Sequence, residues 1–145
     1  MRRNDHGMTL VEVLVASLVS LLALAGIVSG YIFANTSAEK FGLSLSATAQ
    51  ASQWMEQMRS AQWDISSFPV VDNLTTTNFS NEVVTLESPG NGTNVIYATN
   101  FATITMISTN PPLRRIRVDC VWIFNGFHES GVYTNTIETC RAPNQ

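Results

Sequence analysis

The chain has 145 residues, 45% of them apolar and 13% charged, and a formal net charge of −3, a length that holds one domain at roughly 100–200 residues per domain. An acidic balance without a Lys/Arg cluster excludes the electrostatic footprint of a nucleic-acid protein, and two histidines with two cysteines are too few for most zinc-site spacings. Much of the apolar content sits in one block, which also excludes a plain cytosolic globule and leaves a small membrane-tethered or exported protein.

That block opens the chain. Val13–Ala34 is 22 residues without Asp, Glu, Lys or Arg, interrupted among its polar positions by Ser17, Ser20 and Ser29. At ~1.5 Å per residue it makes a helix of about 33 Å, enough for a hydrocarbon core of ~30 Å. A secretory signal would explain Arg2-Arg3 and the Ala23-Leu24-Ala25 cleavage pattern. However, the apolar run continues through Ile27, Val28, Tyr31, Ile32 and Phe33, past the about 7–15 residues of a signal h-region. Glu12, at the head of the block, is a carboxylate that costs insertion free energy and needs a reason to be there.

The surrounding residues supply one. A short basic leader ends in Gly7, followed by Met8-Thr9-Leu10-Val11-Glu12 and then the apolar helix. This resembles the class III signal of type IV pilins and type II secretion pseudopilins. The resemblance covers Gly7, Thr9, Leu10, Glu12 and the helix to Ala34; Met8 stands where the family more often has Phe. It implies that a prepilin peptidase cuts between Gly7 and Met8 and that the new N-terminus, Met8, is N-methylated. It also assigns Thr9, Leu10 and Glu12 to assembly. In a helical stack of subunits the Glu12 carboxylate of one chain would meet the Met8 amine of its neighbour, and a buried ion pair of this kind depends strongly on register.

Beyond Ala34 polarity returns, but no proline appears until Pro69, so the helix is expected to continue outward. Phe41, Leu45, Thr48, Ala51, Met55 and Met58 recur at i+3/i+4 spacing and predict the buried stripe, with Gln50, Gln53, Glu56, Arg59 and Gln62 on the solvated side. A helix from Met8 to about Trp63 would be ~84 Å long. From Val70 the pattern changes to strands: Glu82–Glu87, Val95–Thr99, Phe101–Ser108, Leu113–Phe124 and Val132–Cys140, with Asn100 separating the second from the third. In the clearest of them Ile116, Val118, Cys120, Trp122 and Phe124 alternate with Arg115, Arg117, Asp119, Val121 and Ile123, predicting a core face and a partly wet one.

The expected fold is therefore α+β and pilin-like: a long N-terminal helix, transmembrane then amphipathic, packed on a small antiparallel sheet. The boundaries are a leader at 1–7, a transmembrane/assembly helix at 8–34, an amphipathic outer half at 35–64 and a β domain at 65–145. A looser similarity is to minor pilins of the V type and to the I-type pseudopilin; Ser29 and Gly30 lie where large major pilins carry a helix-kinking proline.

Cys120 and Cys140 are the only cysteines, both on the exported side, where a disulfide is permitted. If Glu129-Ser130-Gly131 makes a three-residue hairpin loop, Cys120 lies opposite Cys140, Ile123 opposite Ile137 and Phe127 opposite Tyr133. A shorter hairpin centred near His128 would instead place Cys120 opposite Thr136, and two buried free thiols are a third arrangement. Four N-glycosylation patterns, at Asn35, Asn73, Asn78 and Asn91, are what chance yields in a chain this rich in Ser, Thr and Asn.

No catalytic constellation, phosphate loop or metal-ligand spacing is present in the sequence, and His128 beside Glu129 and Ser130 reads as a surface-loop histidine. The expectation is a non-enzymatic subunit without cofactor, a minor pilin or pseudopilin of a type IV pilus or type II secretion pseudopilus. Its implied partners are the prepilin peptidase/methylase, other pilin or pseudopilin subunits, an inner-membrane assembly platform and, before assembly, the lipid bilayer. Arg2 and Arg3 put the N-terminus in the cytoplasm and the C-terminal region outside the inner membrane. The rival reading is an exported or membrane-anchored binding domain with an ordinary signal sequence.

Overall fold

A computed structural model describes residues 9–87, 95–126 and 129–144. They form two compact units divided between Ala38 and Glu39. One α-helix, α1 (Leu10–Ser60), contributes to both.

In the first unit α1 buries almost nothing. Its large apolar side chains, from Leu10 and Leu14 to Ile27 and Phe33, are exposed. The hydroxyls of Ser17, Ser20 and Thr36 donate to the carbonyls of Leu14, Ala16 and Ile32, so these polar groups are satisfied inside the helix. A helix apolar all round with its hydroxyls turned inward is built for an apolar solvent or for other helices.

In the second unit the remainder of α1 lies on a four-stranded antiparallel meander, formed by β3 (Glu82–Glu87), β4 (Ile96–Thr109), β5 (Pro112–Asn125) and β6 (Ser130–Arg141) in that order. A two-stranded ribbon, β1 (Trp63–Asp64) with β2 (Val71–Asp72), follows the helix. The α+β class expected from the sequence is the class observed. The alternation in β5 is also as expected: Ile116, Val118, Cys120, Trp122 and Phe124 are all buried.

Three expectations are corrected. The buried face of α1 is Leu43, Ala47, Ala51, Trp54, Met55 and Met58, whereas Phe41 and Leu45 are 74% and 73% exposed. Ala47 and Ala51 on the helix and Ala98 and Ala102 on β4 are all buried. The rotation of the helix is held by hydrogen bonds on the same side, from Asn135 Nδ2 to Ser44 Oγ and Thr48 Oγ1 and from Ser46 Oγ to the Leu86 carbonyl, and these turn Phe41 and Leu45 outward. Second, Asn100 does not divide a strand. It lies inside β4, 1% exposed, paired with Glu82 on β3 and Cys120 on β5.

The third correction concerns the cysteines. In the observed hairpin Cys120 pairs with Asn135 and Cys140 with Arg115, which matches neither register considered for this hairpin. Directly opposed residues share a face, and Cys140 lies five positions beyond Asn135, on the other side of the sheet. Cys120 is accordingly buried, Cys140 exposed and both thiols free. Burial pushes the Cys120 thiol up from its ordinary value. No rotamer change can join two cysteines on opposite faces.

Candidate functional site: the head of the helix

The cleavage junction expected at Gly7 and Met8 lies outside the described residues. Immediately after it, Thr9 is the N-cap of α1: its carbonyl accepts the Val13 N–H at 3.2 Å and its Oγ1 accepts the Glu12 N–H at 3.3 Å. In return a Glu12 carboxylate oxygen accepts the Thr9 N–H at 3.3 Å and the Thr9 hydroxyl at 3.4 Å. This is a reciprocal capping box, Thr-x-x-Glu, which satisfies two otherwise orphaned N–H groups at the start of the helix. The sequence carried the signal in the spacing of Thr9 and Glu12 ahead of an apolar run, but the assembly reading of Glu12 masked it.

The geometry has a chemical consequence. The carboxylate bonds are at the long end of the hydrogen-bond range, and Glu12 is exposed. It is held loosely, free to exchange these contacts for a charge-assisted bond to an ammonium group, which is shorter and about twice as strong. Leu10, the first helical residue, is exposed beside it. Together Thr9, Leu10 and Glu12 form one accessible helix end followed by an uncharged apolar stretch, and α1 is long and apolar enough to cross a membrane.

Residues 2–28 match the family model described as the prokaryotic N-terminal methylation motif, which is the prepilin signal of type IV pilins and pseudopilins. The match covers 27 of the 145 residues, so it shows a prepilin-type signal at the head of a long apolar helix, alongside a pilin-like α+β fold. The motif implies a prepilin peptidase and pilin partners in general, and with the apolar helix it fits a membrane-anchored pilin. Comparison with curated proteins and with solved structures finds no match.

A second cluster ties α1 to the end of the sheet. Lys40 Nζ donates to Glu129 Oε1 at 2.6 Å and lies 4.3 Å from the centroid of the Tyr133 ring, which stacks on Trp122. Hydrogen bonding to Lys40, and then to Tyr133, holds the Glu129 carboxyl below its usual value. The contact is exposed, so salt and water screen it.

Proposed function

We propose that the chain is a minor pilin or pseudopilin, an accessory subunit of a type IV pilus or a type II secretion pseudopilus. The observation that carries this reading is the accessible apolar helix with a loosely held carboxylate one turn from its head, directly behind a prepilin-type leader. Cleavage between Gly7 and Met8 removes Arg2, Arg3 and Asp5, a loss of +1, so the formal side-chain charge falls from −3 to −3 − (+1) = −4. Met8 is then N-methylated. Before assembly the helix rests in the inner membrane with its N-terminus cytoplasmic, consistent with Arg2 and Arg3 ahead of it. An assembly platform draws it into a filament, where Glu12 exchanges its contacts with Thr9 for the Met8 amine of a neighbour.

The capping box makes the test sharper than alanine substitution would. Gln is accepted at the same position of a capping box, so Glu12→Gln retains the helix start and removes the charge alone. The expected result is normal leader cleavage and membrane level with filament incorporation lost. Gly7→Phe should stop cleavage, leaving Met1 as the N-terminus. Wild-type incorporation of Glu12→Gln would remove the pairing role, and a native protein still beginning at Met1 would remove the prepilin reading.

A further inference from the structure

The solvent-facing side of the four-stranded sheet is split into two chemically different halves. Toward the β4–β5 turn its outward residues follow the rule for a wet antiparallel face. Thr103, Arg117 and Glu138 form one row and Thr105, Arg115 and Cys140 the next. The charges there are neutralised internally, by Arg115 with Glu138 at 2.9 Å and Arg117 with Asp119 at 2.9 Å. Toward the other end, where Lys40 meets Glu129, the same strands present apolar groups outward. Val83, Tyr97, Ile123 and Val132 are between 56% and 67% exposed, and Phe101 is 37% exposed at the border. Register makes them contiguous: Ile123 pairs with Val132, Val83 with Thr99, and Thr99 with Val121.

Single exposed apolar residues need no explanation, but a continuous patch across all four strands, confined to half of one face, does. We infer that this patch is the docking surface for the globular unit of another subunit carrying a prepilin-type helix. The inference deepens the proposed function and rests on it. Size argues for such a partner. Five side chains expose on the order of 400 Å², about half of the ~800 Å² per partner that a stable free interface buries. A patch of this size is too small to hold two freely diffusing proteins. It suffices where helices side by side in a membrane or filament keep the globular units at high effective concentration. Charge argues against a lipid surface. Glu87 and Glu129 lie at this end of the sheet, and the neighbouring cation, Lys40, is engaged by Glu129, whereas anionic leaflets attract free Lys and Arg.

The experiment places a photoreactive benzophenone side chain at Ile123, or at Thr105 on the polar half, of the full chain in its native host membranes. Ile123 should give an adduct whose partner begins with a methylated prepilin-type helix, and Thr105 should not. Ile123→Asp with Val132→Asp should lower filament incorporation at least fivefold while leader cleavage and thermal unfolding stay as in the wild type. The double Thr variant, which keeps β-branching, should lower it less. Adducts to lipid, equal adducts at both positions, or wild-type incorporation of the Asp variant would overturn the inference. If these occur while Glu12→Gln still blocks incorporation, the docking surface fails alone; if Glu12→Gln is also incorporated normally, the filament reading fails with it.

Discussion

Asn135 sets the register of the last hairpin. Its Oδ1 accepts the Trp122 indole N–H at 2.8 Å, and its Nδ2 donates to Ser44 Oγ and Thr48 Oγ1, each at 2.9 Å. A slip of one residue would turn this side chain to the opposite face and break all three bonds. Asn135→Leu leaves the buried indole N–H without an acceptor, so it should cost about 1–3 kcal/mol, read as a lower thermal midpoint of the full chain in detergent. The cysteines report the same register independently. In native, unreduced protein an alkylating reagent should modify Cys140 and leave Cys120 untouched until denaturant is added. A Cys120–Cys140 linked peptide in the mass spectrum would require a different hairpin. Neither the tie to Ser44 and Thr48 nor its effect on pairing was legible from strand composition, because the helix that supplies these partners is some 90 residues away in the chain.

At the scale of elements, β5 was readable because five large apolar residues alternate without a break. The helix face was readable only in part: Ala51, Met55 and Met58 are buried as expected, and Phe41 and Leu45 are not. Periodicity favours Phe41 and Leu45 because they are large, whereas the rotation of the helix is held by the hydroxyls of Ser44, Ser46 and Thr48, which a hydropathy pattern counts as polar. Ala51 is fully buried, so Ala51→Leu should overpack the core and destabilise by about 1–3 kcal/mol. Leu45→Ser, on the exposed side, should stay within about 0.5 kcal/mol. Thermal or denaturant unfolding of Leu45→Ser distinguishes this face from the one the periodicity predicts, because Ala51 belongs to both. Asn100 misled for a related reason: a polar residue in a run of β-formers reads as a turn, yet here the neighbours on β3 and β5 carry the strand through it.

Across the molecule, charge adds to the packing of Met58, Trp63 and Leu74 in closing the end of the sheet near the helix C-terminus. Arg114 donates to both Asp72 carboxylate oxygens, at 2.7 and 2.6 Å, and to the Leu74 carbonyl, while its guanidinium lies 4.4 Å from the Trp63 ring centroid. Arg141 donates to the Met58 carbonyl at 3.0 Å, and the Asn144 N–H to the Trp63 carbonyl at 2.7 Å. The hydrogen bonds from Arg114 hold the Asp72 carboxyl below its ordinary value. A depressed carboxyl stabilises the fold above the unfolded pKa of about 3.9 and loses that contribution as pH falls through the folded value. The thermal midpoint should therefore drop below about pH 4, and Asp72→Asn should show a shallower drop from a lower starting point. Asp64 and Glu129 are shifted in the same direction by their own hydrogen bonds, but both are exposed and screened, so the Asp72 variant isolates the larger effect.

The attachments between helix and sheet are strung along α1: Lys40 to Glu129, Ser44 and Thr48 to Asn135, Ser46 to the Leu86 carbonyl, and the Met58 carbonyl to Arg141. A pull along the helix axis loads these attachments together, in shear, whereas a pull across it would unzip them one at a time. Mechanical strength in the axial direction is then the sum of many modest bonds instead of the strength of the weakest. A subunit hauled lengthwise by its helix would carry its sheet as firmly coupled cargo, even though no single tie between them is strong.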